Sequence, residues 1–236
     1  MARLARSLSL LLAGAGLVLG APRLHAEQAP GAVYTVAAIG DSLTDPKSHG
    51  GGYLDVLRQQ CPGSRFDGYG KGGQMVNQMR RRFARDVLGD PPDAANPKPA
   101  YTHVIVFGGV NDLVSDLTAG RTPAKIAKDL TRMYQAAHAR GMRVIAVTVS
   151  PWGAFRMYWN EKRGAATREL NRWILAQKQE GEVDHLVDAW SLLSCGVPDR
   201  LCKRFVKPFN DGLHFGPPAH ELLGQALKKQ AFSDCR

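Results

Sequence analysis

Short strand-like runs alternate with longer segments of helical periodicity along most of this sequence, and that alternation restricts the fold more than any other feature. We predict strands at Val33–Ile39, Arg65–Tyr69, His103–Phe107, Arg143–Val149 and His185–Val187. We predict helices at Gly50–Gln60, Gln74–Leu88, Pro123–Arg140, Arg163–Gln179 and Ala219–Gln230. Because five strands alternate with helices, we expect a single three-layer α/β/α domain around a central five-stranded parallel sheet.

The first 26 residues have the layout of a secretory signal peptide. Two arginines precede the apolar run Leu8–Gly20, and the small residue Ala26 follows a helix-breaking stretch. The apolar run is too short to span a bilayer, and the alternative is a membrane anchor that is left uncleaved. We expect residues 1–26 to be removed and residues 27–236 to form the mature domain, which would be secreted or periplasmic.

The composition is that of a globular protein, since 44% of the residues are hydrophobic and 22% are charged. Removal of residues 1–26 takes away three arginines and no acids, which lowers the net charge from +10 to +7. This balance permits an anionic partner but does not require one. We expect a monomer that binds no nucleic acid and that could make peripheral contact with an anionic glycan or a membrane surface.

All four cysteines lie in the mature part of the chain, at positions 61, 195, 202 and 235. An even number of cysteines in an exported chain suggests disulfides, and four cysteines allow three pairings. Sequence proximity favours Cys195–Cys202, which leaves Cys61–Cys235 to fasten the C-terminus. No Cys-x-x-Cys motif is present, so the sequence supports neither a redox site nor a zinc site.

Chemically useful residues follow the predicted strands. In a parallel α/β domain the reactive site lies at the carboxyl ends of the strands. Ser42 follows the first strand, Gly70–Gly73 follows the second, and Asn111 follows the third. Near the C-terminus, Asp211 and His214 are three residues apart, which lets a compact turn bring a carboxylate beside an imidazole.

Together these residue types match the needs of nucleophilic catalysis. A serine next to such a histidine becomes a nucleophile. A glycine N–H, an asparagine side chain and the serine's own N–H can stabilise an oxyanion. Asp188 also follows a strand and is a rival to Asp211 as the carboxylate. The order of GDSLTD at 40–45, a lone glycine at 73, GVND at 109–112 and DGLH at 211–214 resembles the SGNH (GDSL-type) hydrolases.

The resemblance implies a role for each matching residue. Ser42 would be the nucleophile, His214 the base and Asp211 its orienting acid. Gly73 and Asn111 would join the Ser42 N–H in the oxyanion hole. Members of the family often have an asparagine before this glycine, which is missing here, so Gly72 is the alternative donor. Asp45 and Asp112, which also match the family's motifs, would shape their loops by hydrogen bonding.

The family also implies an SGNH hydrolase domain at 27–236 that needs neither a metal nor another cofactor. We expect an exported serine hydrolase of carboxylic esters, either a carbohydrate O-acetyl esterase or a short-chain acyl esterase. The alternatives are a lysophospholipase, lipase or thioesterase acting on lipids, acyl transfer to a sugar in place of water, and a catalytically idle accessory domain. The ester substrate would be an acylated glycan or a lipid.

Three further patterns carry alternative interpretations. Gly68-x-Gly70-x-x-Gly73 fits a dinucleotide-binding motif, but the acid about 20 residues on would be Asp90 or Asp93, inside a proline-rich loop. Basic clusters, which are either solvated surface or a docking site for an anionic group, occur at Arg80–Arg82 with Arg85 and at Lys203, Arg204 and Lys207. Aromatic residues after the fourth strand, which either wall the site or cover the sheet, are Trp152, Phe155, Tyr158 and Trp159.

Overall fold

The computed structural model describes residues 31–95 and 97–236. The predicted signal peptide, residues 1–26, lies outside this range, so its removal stays a prediction. Within the described residues, five parallel strands form one sheet with α-helices on both faces. The predicted three-layer α/β/α architecture is therefore confirmed.

The elements follow one another in the predicted alternation. The strands are β1 Thr35–Gly40, β2 Arg65–Gly70, β3 His103–Phe107, β4 Arg143–Val147 and β5 His185–Val187. The helices are α1 Gly52–Gln60, α2 Val76–Phe83, α3 Val110–Val114, α4 Pro123–His138, α5 Glu161–Ala176, α6 Ala189–Ser194 and α7 Pro217–Ala231. None of the helices in the described part of the chain has both the length and the hydropathy needed to cross a membrane.

The strand order places a topological switch point beside β1. The sheet runs β2-β1-β3-β4-β5, so the chain moves to one side of β1 to make β2 and then to the other side to make β3. In open parallel sheets, the crevice at such a switch point, at the carboxyl ends of the strands, is where ligands bind. The residues that directly follow β1 and β3 therefore meet at the same crevice.

Strand β3 shows how the sheet holds the two helical layers. All five of its side chains are buried. Val104 and Val106 pack with α2, α4 and α5 on one face, while Ile105 and Phe107 pack with α1, α6 and α7 on the other. Alternate side chains of a strand point to opposite faces. A strand buried on both faces therefore reads as a continuous apolar run.

Two of the helices differ clearly from the sequence prediction. The helix expected at Gln74–Leu88 begins at Val76, and its last five residues, Ala84–Leu88, wind as a π-helix that ends at Gly89 with a φ of 65°. Helix α5 begins at Glu161, earlier than expected, because the Asn160 side chain accepts a hydrogen bond from the Arg163 N–H and caps it.

The structure brings the cysteines together in the two pairs that the sequence favours. Cys195 pairs with Cys202, and Cys61 pairs with Cys235 across 174 residues of sequence. The second pair lies where the C-terminus meets the start of the domain, since the Arg236 N–H donates to the Ala32 carbonyl. The predicted pairing is therefore compatible with the fold.

Candidate active site

Ser42 lies in a tight turn immediately after β1. The Thr44 and Asp45 N–H groups both donate to the Asp41 carbonyl, at 3.1 and 3.0 Å, which closes the turn. Gly40 has to be glycine, because a Cβ there would lie 2.2 Å from Thr44 Oγ1 and 2.7 Å from the Phe107 carbonyl oxygen. The turn is thus packed against β3, and Ser42 is held at the end of the sheet with only 7% of its surface exposed.

Asp211 and His214 share a second tight turn. Asp211 Oδ1 accepts hydrogen bonds from the backbone N–H groups of Leu213 and His214, both at 2.8 Å. Gly212 between them has a φ of 81°, and a Cβ there would lie 2.2 Å from the Ala154 carbonyl carbon. The Asp-Gly-Leu-His sequence therefore folds into a turn that leaves the other carboxylate oxygen for the imidazole.

The two turns meet, and their side chains form a continuous hydrogen-bonded chain. His214 Nε2 lies 2.9 Å from Ser42 Oγ, and His214 Nδ1 lies 2.6 Å from Asp211 Oδ2. Partial burial acts to raise the pKa of Asp211, but the hydrogen bonds from His214 and from the two backbone N–H groups hold it below its ordinary value. Asp211 is thus an anion beside the imidazole, and His214 can accept a proton from Ser42.

Three candidate N–H donors for an oxyanion belong to residues that line the cavity containing Ser42. They belong to the Ser42 backbone, the Gly73 backbone and the Asn111 side chain, and all three residues line one cavity. The N–H groups of Ser42 and Gly73 have no acceptor among the described residues. The Gly72 N–H, in contrast, donates to Asp45 Oδ2 at 2.9 Å. Of the two candidate glycines, Gly73 is therefore the one whose backbone N–H remains available to an oxyanion.

Asn111 is the second residue of α3, a short helix that the sequence prediction omitted. Its Nδ2 donates to the Gln74 carbonyl at 3.1 Å, which orients the side chain and leaves its second N–H for a ligand. The next residue, Asp112, is fully buried and accepts from the Val76 N–H at 2.8 Å and from Arg121 Nε at 2.7 Å. Asp112 thus joins the start of α2 to α3, as a loop-shaping residue would.

Asp41 is a buried acid beside the site for which the sequence prediction gave no role. Its side chain is fully buried; Oδ1 accepts from the Leu43 N–H at 3.0 Å, while Oδ2 has no hydrogen-bond partner among the described residues. Burial raises the pKa of Asp41 to about 7, against the lowering effects of the Leu43 N–H and of His214. Because Asp is common at helix caps and turns, the sequence offered no signal for this environment.

The cavity that contains Ser42 has a volume of about 600 Å³ and a largely apolar wall. The apolar side chains that line it are Val114, Phe155, Tyr158, Phe209 and Leu213. Of the four aromatic residues that follow β4, Phe155 and Tyr158 thus wall the site. Trp152 is fully buried and donates to Thr167 Oγ1, and Trp159 packs against the core. Two of the four aromatic residues therefore wall the site, and the other two cover the sheet.

A second cavity of about 580 Å³ adjoins the first, since His49 and Phe209 line both. Its wall adds polar and acidic side chains, among them Asp55, Gln59 and Glu221. The crevice at the switch point therefore has an apolar part around Ser42 and a more polar part beside it.

The remaining sequence candidates have structural roles away from the triad. Asp188 caps α6 through the Ser191 N–H and accepts from Thr148 Oγ1, so it is not the carboxylate that meets His214. Gly70 of the glycine-rich motif packs on the Ser42 turn, with a Cβ there only 2.2 Å from the Asp45 nitrogen. In the described part of the chain, no group of three or more His, Cys, Asp or Glu residues is arranged to hold a metal ion.

The chain is similar to known proteins in both sequence and fold. Residues 38–222 match the GDSL-like Lipase/Acylhydrolase family. No curated protein matches the sequence. Among solved structures, a GDSL-like lipase from Bacteroides thetaiotaomicron has a TM-score of 0.65 at 21% identity, over 83% of this chain and 86% of that one.

Two further structures have the same fold. A lipase/acylhydrolase from Enterococcus faecalis has a TM-score of 0.63 at 19% identity, over 83% of this chain and 94% of that one. An acetyl xylan esterase has a TM-score of 0.64 at 19% identity, over 83% of this chain and 98% of that one. The family match covers most of the chain, including the Ser42 turn and the Asp211–His214 turn, and the chain therefore belongs to the GDSL-like lipase/acylhydrolase family.

Proposed function

We propose that this protein is an exported serine hydrolase that cleaves carboxylic esters through Ser42, His214 and Asp211. The single observation that carries the proposal is the hydrogen-bonded chain from Ser42 Oγ through His214 to Asp211, with distances of 2.9 and 2.6 Å. The membership of the chain in a lipase/acylhydrolase family supports the ester as the bond that is broken.

The reaction proceeds in two halves. His214 Nε2 takes the proton of Ser42 as Oγ attacks the ester carbonyl, and the imidazolium then gives this proton to the leaving alcohol. The acyl group is now bound to Ser42 Oγ. In the second half His214 takes a proton from water as the water oxygen attacks the acyl carbon. The bond between the acyl carbon and Ser42 Oγ then breaks, the carboxylic acid leaves, and His214 returns the proton to Ser42 Oγ. Asp211 keeps Nδ1 protonated throughout and stabilises the imidazolium.

Negative charge on the carbonyl oxygen is stabilised by the N–H groups of Ser42, Gly73 and Asn111. Pre-arranged donors of this kind contribute more in a site partly shielded from water than they would in bulk solvent. The engagement of the Gly72 N–H by Asp45 supports Gly73 as the glycine donor.

The two adjoining cavities support an ester with an apolar acyl part and a hydroxylated alcohol part. Phe155, Tyr158 and Leu213 offer the acyl group an apolar wall next to Ser42. Gln59 and Glu221 offer hydrogen-bond partners on the other side of Phe209, where a sugar ring would be recognised. We therefore keep an acylated glycan or another short-chain ester as the first substrate class. The similarity of the fold to an acetyl xylan esterase agrees with it.

A lipid ester is the second candidate, because a specific surface feature favours it. Leu117, Met157 and Tyr158 are 78%, 83% and 41% exposed, although they are large apolar residues. Arg163 joins the two loops that carry them, since it donates to Asp116 Oδ1 and to the Tyr158 carbonyl. An exposed apolar rim beside the cavity would suit substrates with long acyl chains.

An ester screen with matched serine variants tests the proposal. The mature protein is assayed on p-nitrophenyl esters of increasing chain length and on an acetylated glycan. Ser42→Ala should abolish turnover, whereas Ser48→Ala, in the same cavity but not bonded to His214, should keep it. Turnover confined to acetyl esters and the glycan supports the first substrate class, and a maximum at long chains supports the lipid. Turnover that survives in Ser42→Ala contradicts the mechanism.

Export is a separate part of the proposal, supported by the N-terminal sequence and by the close approach of both cysteine pairs. The N-terminal sequence of the protein recovered from the expressing cell tests it. We expect a mature N-terminus at Glu27. An intact Met1 on protein retained in the cytoplasm would contradict export.

A further inference from the structure

Arg82 belongs to the basic cluster at Arg80–Arg82, yet its position is unlike that of an exposed basic residue. Its side chain is 5% exposed, whereas its neighbour Arg81 is exposed. A buried guanidinium is costly unless its N–H groups are satisfied. The partners that Arg82 finds in the interior therefore decide what it contributes.

The guanidinium of Arg82 bridges the loops that carry the oxyanion donors. Arg82 Nη2 donates to the Gly40 carbonyl at 2.9 Å, two residues before Ser42. Arg82 Nε donates to Gln74 Oε1 at 2.6 Å, one residue after Gly73. The backbone carbonyl of Gln74 in turn accepts from Asn111 Nδ2. One side chain thus contacts the last residue of β1 and the loop that follows β2, and Gln74 links it to Asn111.

A third contact fixes the guanidinium itself. Arg82 Nη1 donates to Asp86 Oδ2 at 3.1 Å, one turn further along the helical segment, and Asp86 also accepts from Arg85. The positive charge of Arg82 is therefore paired with Asp86, and the planar guanidinium is held with its other N–H groups directed at Gly40 and Gln74. A lysine could keep the charge beside Asp86, but its single ammonium could not span acceptors on both loops.

We propose that Arg82 is a positioning residue that holds the N–H donors of Ser42, Gly73 and Asn111 in register for the oxyanion. The inference rests on the proposed function, since it assigns Arg82 a part in that same reaction. The Arg82 side chain itself lines neither cavity and is not expected to contact the substrate. Its effect is to fix the spacing between two loops whose donors have to converge on one oxygen atom.

Because donors that are misplaced by about 1 Å can cost about 100-fold in rate, Arg82→Lys should lower kcat by about 10- to 100-fold. The KM should change less than threefold, since Arg82 lines neither cavity. Arg81→Met is the matched control from the same helix, and it should retain wild-type kcat. A loss of stability alone would also lower the apparent kcat at constant KM, so kcat is calculated per active site, counted by titration with a fluorophosphonate that labels Ser42.

A double-mutant cycle with Asn111→Ala identifies the route of the effect. If Arg82 acts through the donor set, Arg82→Lys should lower kcat less in the Asn111→Ala background than in the wild type. If Arg82→Lys lowers kcat by the same factor in the Asn111→Ala background as in the wild type, the inference is overturned. Gln74→Met, which removes only the side-chain acceptor, replaces Arg82→Lys if that variant does not fold, and it should lower kcat three- to tenfold; an unchanged kcat would again overturn the inference.

The outcomes separate this inference from the proposed function. If neither the wild type nor Arg81→Met shows turnover that depends on Ser42, the proposed function fails. If both do and Arg82→Lys matches them in kcat, only the inference about Arg82 fails.

Discussion

Replacing Asp211 with asparagine separates two roles of this side chain, the negative charge beside His214 and the hydrogen bonds that hold the turn. Oδ1 of Asp211 accepts two backbone N–H groups, so the asparagine oxygen has to stay in that position to keep the turn. The asparagine NH₂ group then faces His214 Nδ1, where a carboxylate oxygen lies at 2.6 Å in the native protein. Because NH₂ can only donate, His214 has to carry its proton on Nε2, where it can no longer accept the proton of Ser42.

The expected loss is about 10³- to 10⁴-fold in kcat, which corresponds to about 4–5.5 kcal/mol of transition-state stabilisation. Stability should change by only about 1 kcal/mol, because one hydrogen bond to a partly exposed group is replaced by a weaker one. Steady-state kinetics on an activated ester and a thermal melt on the same preparation measure the two quantities.

Asp188→Asn is the matched control, since Asp188 also follows a strand of the sheet but caps α6. It should keep wild-type kcat. A wild-type kcat in Asp211→Asn, or a 10³-fold loss in Asp188→Asn, would refute the assignment of the carboxylate.

Three other predictions concern Asn111, the Cys61–Cys235 pair and the buried His220. Asn111→Ala should lower kcat by about 10²- to 10³-fold with little change in KM, and a loss below fivefold would exclude Asn111 from the oxyanion hole. Replacing Cys61 and Cys235 together by serine should lower the free energy of unfolding by about 5 kcal/mol, because their bridge spans 174 residues of sequence. Reactive thiols in the native protein would contradict the pairing. Burial lowers the pKa of His220 to about 4. Acidification from pH 6.5 to 4 therefore favours the unfolded chain, which binds the proton first, and urea titrations should show a smaller loss of stability over this range in His220→Phe than in the wild type.

The sequence predicted the central strands well because they are buried on both faces and are therefore continuously apolar. His103–Phe107 and His185–Val187 have the predicted bounds. Sequence periodicity did not predict the elements whose conformation depends on tertiary packing. Helix α6 was missed because its cap, Asp188, reads equally as a strand end, and the π-helical end of the Gln74–Leu88 segment carries no local signal of its own.

The candidate site was predictable where its chemistry lies in short motifs. The structure brings Ser42, His214, Gly73 and Asn111 to one cavity, and Asp211 is bonded to His214. Arg82 was not predictable, because three consecutive arginines suggest a solvated helix face, and only the tertiary structure shows which of them turns inward.

Covalent labelling tests the central claim most directly. The protein is treated with a fluorophosphonate, which reacts with activated serine nucleophiles, and the labelled peptide is identified by mass spectrometry. The account predicts one label per chain, located on Ser42, that is lost in His214→Ala and greatly slowed in Asp211→Asn. A label on another residue, or ester turnover in protein whose Ser42 stays unlabelled, would contradict it.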